Sequence, residues 1–496
     1  MDTNELKKKT VISSIWSLIE RFGYLTCQFL SNLVLARLLS PDDFGTIGLL
    51  MVFFVLSNVF IDSGLSSAII QKANVSEEDK STVFLTNLAL ALFVYVIIFF
   101  AAPYVALYFK IPELKTLLRV LELMVVIDAF CSIQNAILAR EMNFKRLTII
   151  KLVSILVASS VAIALAYVGF GIWALVVQYL LNSFIRTTIT WICAKWYPLL
   201  VFRKESFKTL FGYGSKLLLS SFVAELYVNL QQLLIGRYYT PSDLGYYSQA
   251  RQLQNIPTGT ITRVINGVAF PAYAKLQNKR DDLQIMFRQN VKLVAFINTP
   301  LMVLLSVIAF PLLIVLYSEK WVGSVEYFQF LCLAFGILLA MHECTLSALK
   351  AVGRSDYVLR LEIIKKILGI SLIFIGMHYW GIWGILYALG LNSIIELFLN
   401  GHFLNKELNY SGLGILKDIF PSIAISFISG AVSYLFLLYF LPIGGNLLTI
   451  VTTSFLFIIV YFFCAWLMKV YGFNVVLLAV NKIFERIKNT NNRQRG

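Results

Sequence analysis

Charged residues are scarce in this 496-residue chain. Only 14% of its residues are Asp, Glu, Lys or Arg, whereas soluble proteins contain about 25%. Hydrophobic residues make up 58% of the chain, and the mean hydropathy is +0.77. A soluble protein of this length has too few charges to cover so much apolar surface. The composition therefore excludes a cytosolic enzyme, a secreted disulfide-stabilised domain and a disordered protein, and it indicates a polytopic helical membrane protein.

Histidine and cysteine are also few, and their spacing suits no cofactor. The three histidines are not closely spaced, so we expect no metal site. The six cysteines lie in apolar stretches without a CxxC pair, which is typical of reduced core residues. No nucleotide-binding motif is present, so we expect no cofactor and no direct use of ATP. The net charge of +15 is ordinary for a membrane protein with basic cytoplasmic loops, and we expect no nucleic-acid partner.

Apolar runs separated by short polar breaks predict fourteen transmembrane helices. Each crossing needs about 20 residues. The run after the basic segment Lys7 to Lys9 is too long for a signal peptide and lacks a small-residue cleavage site, so we interpret it as the first span. The predicted spans are 10–38, 43–70, 81–108, 113–138, 147–167, 171–195, 210–238, 242–274, 286–317, 321–349, 357–379, 381–404, 416–440 and 446–468.

The basic residues are distributed asymmetrically about these spans. With the N-terminus in the cytoplasm, 31 of the 42 Lys and Arg residues fall at cytoplasmic ends or loops, and six fall outside. This distribution follows the positive-inside rule. It favours an even number of spans, with both termini cytoplasmic. The outer loops are short, which leaves no room there for a catalytic domain.

A repeat at an offset of 200 residues divides the chain. Residues 36–45 (ARLLSPDDFG) match residues 236–245 (GRYYTPSDLG), and each copy links the first two spans of a six-span unit. Because six spans separate the copies, both units have the same orientation. We predict two six-helix lobes in a parallel pseudo-twofold repeat, plus two C-terminal helices. The predicted domains are an N-terminal lobe at 1–198, a C-terminal lobe at 199–406, and two further helices with a basic cytoplasmic tail at 407–496.

Each copy of the repeat contains a turn with a simple structural interpretation. A hydroxyl residue followed by proline predicts the start of a helix with acidic residues in its first turn. Asp42 and Asp43 also suit the exoplasmic acidic pair of a membrane glycosyltransferase. The second copy has Ser242 in place of the first acid, so we favour the helix start.

Five basic residues lie within predicted spans, where each charge costs about 2.5–3.5 kcal/mol at a helix centre. Such residues usually face a bundle interior or water. Guanidinium groups offer forked donors that suit phosphate oxygens. Lys216 is near enough to the cytoplasmic face to extend into water, which leaves a structural role open. The candidates for binding an anionic substrate are Arg21, Arg186, Arg251, Arg263 and Lys216.

Polar and acidic residues accompany these cations. Hydrogen bonding between helices explains one or two such residues, but stripes in both lobes favour a hydrated cavity. The expected polar lining is Gln28, Asn32, Asn182, Asn229 and Asn255. Asp62 also suits a structural cap. His342 beside Glu343 suits a packed polar pair better than a proton relay. The candidates for binding a coupling proton or cation are Glu225, Asp62, Asp128 and Glu396.

Five segments carry a family resemblance: 35–45 (LARLLSPDDFG), 62–68 (DSGLSSA), 140–145 (REMNFK), 244–250 (LGYYSQA) and 270–277 (FPAYAKLQ). On these segments the chain resembles bacterial polysaccharide exporters of the Wzx type, especially the colanic-acid and teichuronic-acid exporters. The resemblance implies an inner-membrane protein that moves an undecaprenyl-pyrophosphate-linked oligosaccharide by alternating access, coupled to an ion gradient. It also implies contact with membrane lipids, a polysaccharide polymerase and a chain-length regulator.

Two other functions fit parts of the sequence. A cation-coupled multidrug antiporter would share the fold, but its cavity should be acidic, whereas the predicted cavity is partly basic. A membrane polysaccharide polymerase or ligase needs a substantial outer loop with catalytic groups, which this chain lacks. We therefore expect a flippase rather than an enzyme.

Overall fold

The structure is a computed structural model that describes residues 3–61, 69, 75–199 and 201–478. Side-chain placements at 3–11, 14, 205–217, 263–266 and 440–444 lie outside this description. Within the described ranges the secondary structure is helical, without strands. The main helices are α1 Thr3–Leu38, α2 Pro41–Ile61, α3 Glu77–Phe109, α4 Leu114–Leu121, α5 Leu123–Arg140, α6 Phe144–Val168, α7 Ile172–Ala194, α8 Lys204–Tyr238, α9 Pro241–Lys275, α10 Arg280–Val307, α11 Ala309–Tyr317, α12 Ser324–Phe330, α13 Ile337–Ala351, α14 Ser355–Leu408 and α15 Gly412–Leu467.

Each predicted span overlaps one of these helices or a pair of them. Helix α14 contains the eleventh and twelfth predicted spans, which meet at Gly381 with φ 60°. Helix α15 contains the last two, which meet at Gly445 with φ 67°. Glycine adopts such left-handed angles without steric strain. Nine helical segments of the described chain are long and apolar enough to cross a membrane. The prediction of an all-α polytopic membrane protein is confirmed.

The chain divides into two compact units, Met1–Ser248 and Gln249–Gly496, with the boundary inside α9. In the first unit, α6 packs against α1 and α7, and α5 packs against α3 and α7. In the second unit, α10 packs along α15 and against α13, and α13 packs against α14. The predicted lobes at 1–198 and 199–406, and the C-terminal segment 407–496, stay predictions.

The repeated turns begin α2 and α9, as the sequence predicted. The Asp43 backbone N–H donates to the Ser40 hydroxyl oxygen over 3.2 Å, and the Ser40 backbone N–H donates back to the Asp43 carboxylate over 2.9 Å. Thr240 and Asp243 form the same reciprocal cap. This exchange of hydrogen bonds satisfies backbone donors that a helix start leaves without partners. The helix-start interpretation is confirmed.

The two turns also touch each other within the first unit. The Ser242 hydroxyl donates to the Asp42 carboxylate over 2.7 Å. A Cβ atom placed on Gly45 would lie 1.8 Å from the Pro241 carbonyl oxygen, and one placed on Gly245 would lie 2.1 Å from the Pro41 carbonyl oxygen. The two helix starts are therefore in backbone contact, which leaves room only for glycine at these two positions.

Candidate functional site

Helix α1 presents the first predicted cation near the surface of its unit. Arg21 is exposed, and among the described residues no carboxylate pairs with its guanidinium. Its neighbour Glu20 is neutralised by Lys151 of α6 over 2.5 Å. Gln28 and Asn32 follow on the same helix face and are half-buried. The structure thus places Arg21, Gln28 and Asn32 on one face of α1, and their role in binding a substrate stays a prediction.

Two of the predicted site residues meet in an ion pair. Arg186 of α7 donates through Nη2 to Asp128 Oδ1 of α5 over 2.6 Å. The Ser183 hydroxyl donates to the same carboxylate oxygen. The Arg186 side chain is 26% exposed and the Asp128 side chain 14% exposed. Such short charge-assisted contacts neutralise both partners. The fold therefore joins a predicted substrate contact and a predicted ion-binding acid into one closed pair.

The polar face of α7 combines structural and unsatisfied groups. Gln178 donates to the hydroxyl oxygens of Ser31 and Ser159 over 2.7 and 3.1 Å, which links α7 to α1 and α6. By contrast, Asn182 Oδ1 and Arg186 Nε are buried without a hydrogen-bond partner in the described part of the protein. Buried polar atoms usually have partners, including water. These two atoms therefore keep an unused capacity for hydrogen bonding on α7.

Helices α8 and α9 carry further candidates. Asn229 donates to the Glu225 carbonyl oxygen over 2.8 Å, and its amide lies 3.4 Å from a Glu225 carboxylate oxygen. The Arg251 guanidinium carbon lies 5.8 Å from the centre of the Phe335 ring, within the range of a cation–π contact. Asn255, one turn further along α9, is exposed. Asp62 and the side chains of Lys216 and Arg263 lie outside the described residues.

Glu396 belongs to a buried polar cluster that sequence reasoning did not recognise. Asn392 donates to Glu396 Oε1 over 2.8 Å. Glu396 Oε2 lies 3.9 Å from His342 Nε2 and 4.0 Å from Lys365 Nζ. Lys365 belongs to the 31 basic residues that the sequence assigns to cytoplasmic ends and loops, and its side chain is nevertheless only 5% exposed.

The environment of His342 also differs from the sequence interpretation. Its described polar partners are Ser393, Asn400 and Glu396 of α14, so pairing with its neighbour Glu343 is not its main contact. A signal for this cluster was present in the sequence. Asn392, Glu396 and Asn400 recur every four residues, which places them on one face of a helix.

The sequence of this chain matches a known protein family. The polysaccharide biosynthesis protein family matches residues 34–326, which is more than half of the chain. The chain belongs to this family. The match includes both copies of the repeated turn and the residues Asp128, Arg186 and Arg251.

Individual proteins that are similar to this chain support the family assignment. The chain is 25% identical to the succinoglycan biosynthesis transport protein ExoT of Rhizobium meliloti over 74% of each chain. It is 25% identical to the lipopolysaccharide biosynthesis protein WzxC of Escherichia coli over 80% of each chain. The predicted resemblance to Wzx-type exporters is confirmed.

The fold has a solved counterpart. The lipid II flippase MurJ, in an inward closed conformation, superposes with a TM-score of 0.72 at 16% identity, covering 92% of this chain and 98% of MurJ. At this identity the likeness shows the fold alone. Together with the apolar helices, it establishes this family member as a multi-pass membrane protein.

Proposed function

We propose that this protein is a flippase that moves a lipid-linked oligosaccharide from the cytoplasmic to the outer face of a bacterial inner membrane. The observation that carries the proposal is the likeness to WzxC, a lipopolysaccharide biosynthesis protein, over 80% of both chains. The shared fold with a protein named as a lipid II flippase supports it. We place both termini in the cytoplasm, because the basic residues concentrate on that side.

A lipid-linked sugar needs a protein for this step. Each sugar hydroxyl costs about 4–8 kcal/mol to move into hydrocarbon without a hydrogen-bond partner. A path lined by amides and cations supplies substitute partners, while the lipid tail stays in the bilayer. We assign this role to the polar faces that carry Gln28, Asn32, Asn182, Asn229 and Asn255. Two six-helix lobes, at 1–198 and 199–406, would alternate their access to the two membrane faces.

The guanidinium groups are proposed to bind the phosphate-bearing head of an undecaprenyl-pyrophosphate carrier. Arg21 is the strongest candidate, because it is exposed and no described acid neutralises it. Arg251 is the counterpart on α9, and Arg263 and Lys216 stay predictions. Arg186 is a weaker candidate, because Asp128 already binds it. In this scheme the protein neither makes nor breaks a covalent bond. A polymerase and a chain-length regulator act on the sugar after it has crossed the membrane.

Deleting the gene and locating the lipid-linked intermediate tests the proposal. We expect the intermediate to accumulate on the cytoplasmic face of the membrane, out of reach of an impermeant sugar-oxidising reagent. Expression of the intact chain should return it to the outer face. Accumulation of unpolymerised sugar outside the membrane would contradict the flippase and would favour a polymerase or ligase.

Charge-removing substitutions test the proposed phosphate contacts. Arg21→Gln and Arg251→Gln should abolish surface polysaccharide while leaving the amount of protein in the membrane unchanged. Lys115→Gln is the matched control, because Lys115 is an exposed cation on α4 outside the proposed path. Full export by both arginine variants would refute the assignment.

A further inference from the structure

Three ionisable side chains from α13 and α14 meet in the interior of the second unit. His342 is 4% exposed and Lys365 5% exposed, and Glu396 is mostly buried beside them. Lys365 lies ten residues after the start of α14 at Ser355, and Glu396 lies twelve residues before its end at Leu408. At about 1.5 Å per residue, both lie well inside the predicted eleventh and twelfth spans. We call His342, Lys365, Glu396 and the adjoining Glu362 the α13–α14 cluster.

The contacts in the α13–α14 cluster are loose. Lys365 Nζ lies 3.6 Å from Glu362 Oε1 and 4.0 Å from Glu396 Oε2, so one ammonium group stands between two carboxylates. These distances exceed those of direct hydrogen bonds. Lys365 is therefore not committed to either carboxylate, unlike a guanidinium in a short bidentate pair.

Lys365 keeps a carboxylate partner in both protonation states of Glu396. When Glu396 is ionised, Lys365 neutralises it. When Glu396 carries a proton, Lys365 still faces Glu362, which also has Lys366 at 3.9 Å. A buried charge without a partner is strongly unfavourable. The cluster can thus gain or lose one proton at Glu396 without leaving a buried charge alone.

His342 faces Glu396 as a neutral ring. The Asn400 amide lies 3.4 Å from Nδ1 and donates to it, which assigns the ring proton to Nε2. That Nε2–H donates to the Ser393 hydroxyl oxygen over 3.1 Å. The same nitrogen lies 3.9 Å from Glu396 Oε2. Carboxylates and histidines within membrane spans recur in the proton relays of pumps and transporters.

Charged groups on the helices next to the α13–α14 cluster either act on Glu396 or have other partners. Glu343 of α13 adds a negative charge near Glu396. On α10 and α15, Arg288 and Lys292 both pair with Asp418, at 2.7 and 3.2 Å. The charges that act on Glu396 are therefore mainly those of Lys365, Glu362 and Glu343.

We propose that Glu396, held between Lys365 and His342, is a proton-binding site that couples flipping to a proton gradient. The coupling rests on the proposed flippase function, whereas proton binding does not. Glu396 takes a proton from water on one side of the membrane and returns it to water on the other. A metal cation is disfavoured, because the Lys365 ammonium faces the same carboxylate oxygen and would repel it.

Infrared difference spectroscopy tests proton binding without any sugar substrate. The full-length protein is reconstituted in lipid nanodiscs and titrated with acid in sodium-free buffer. We expect a carbonyl-stretch band of a protonated carboxylic acid that is lost in Glu396→Gln and kept in Glu326→Gln, a control on α12. Lys365→Met should move the midpoint of the band to higher pH, because the ammonium that favours the carboxylate is gone.

Two results would overturn the proton site. One is an unchanged band in Glu396→Gln. The other is a band that appears when sodium is removed at constant pH. If Glu396→Gln fails to fold because Lys365 is left buried and charged, the double variant Glu396→Gln with Lys365→Met removes both charges and gives the same spectral test.

Coupling is tested separately in cells. Collapsing the pH gradient with nigericin should lower the rate of surface polysaccharide appearance in cells with the intact chain by about tenfold, a coupling of ordinary size. Cells with Glu396→Gln should show a low rate that nigericin does not lower further. A nigericin-sensitive rate in that variant would refute the coupling. If deletion shows that the protein is not a flippase, the coupling fails but the infrared result stands.

Discussion

A buried cation and a buried carboxylate are paired differently in one cluster of each unit. In the first unit, Arg186 and Asp128 form one contact of 2.6 Å, reinforced by the Ser183 hydroxyl. In the second unit, the buried Lys365 and Glu396 lie 4.0 Å apart, and Lys365 is shared with Glu362. The comparison teaches that burial of a charge within a span does not by itself mark a functional site. The distance to its partner and the chemistry of the cation distinguish a structural pair from an exchangeable one.

The cation type explains part of this difference. A guanidinium group is planar and always charged, and its forked donors suit a carboxylate in a fixed orientation. An ammonium group is a point charge on a flexible stem, so it can move between two carboxylates with little geometric penalty. The first unit thus has a pair suited to holding α5 against α7, and the second has a group suited to changing partners.

Breaking the closed pair should have the largest effect on stability. Asp128→Asn leaves the Arg186 guanidinium largely buried without a counter-ion, which we expect to lower the free energy of unfolding by about 3 kcal/mol. Thermal denaturation of the purified protein in detergent measures this loss. The double variant Asp128→Asn with Arg186→Gln is the control, and it should recover most of the stability. An unchanged midpoint in the single variant would show that the pair is not structural.

Much of the architecture could be predicted from the sequence, because it depends on local properties. Span positions follow from apolar runs, and the starts of α2 and α9 follow from a hydroxyl residue, a proline and an acid within four positions. The contact between Gly45 and Pro241 was only partly foreseeable. The repeat identifies both turns, but their packing against each other depends on how α2 and α9 meet in the folded protein.

The candidate site was less predictable, because pairing between helices is a tertiary property. Nothing in the spacing of Asp128 and Arg186 indicates that α5 and α7 present them to each other. The burial of the Lys365 side chain could not be predicted for a related reason. A long side chain near a helix end can reach water or turn inward, and only packing of α13 on α14 decides between these outcomes.

The backbone contact at Gly245 involves no charge, so its effect on stability can be compared with that of the ion pairs. In Gly245→Ala the new methyl group would overlap the Pro41 carbonyl oxygen, so the starts of α2 and α9 must move apart. We expect a loss of about 2 kcal/mol, as for other overpacked sites. Gly267→Ala in the same helix is the control, because a Cβ atom there meets nothing within 4 Å. Equal melting temperatures for the two variants would contradict the close contact.

Replacing the Lys365 ammonium by a guanidinium tests whether the type of cation causes the difference between the two clusters. Lys365→Arg places a forked donor between Glu362 and Glu396 and should convert the loose cluster into a closed one. We expect a smaller loss of stability than in Asp128→Asn, because no buried charge loses its partner. Surface polysaccharide should fall strongly, because Glu396 no longer exchanges its partner. Lys366→Arg is the matched control and should export normally. Normal export by Lys365→Arg would indicate that the cluster is structural, like the Arg186 pair.

The smallest effect is expected at an exposed pair outside the spans. Arg354 donates to both Asp356 carboxylate oxygens over 3.0 and 3.1 Å, and these hydrogen bonds hold the pKa of Asp356 below its usual value. The stabilisation is present above the pKa of Asp356 in the unfolded chain and is lost as the pH falls through the lowered pKa of the folded protein. Water screens this pair, and Arg354 also binds Glu407 at 2.7 Å. Asp356→Asn should therefore lower the melting temperature only slightly at neutral pH and not at all in acid. If Asp356→Asn lowered the melting temperature as much as Asp128→Asn does, the exposure of an ion pair would not predict its contribution to stability in this protein.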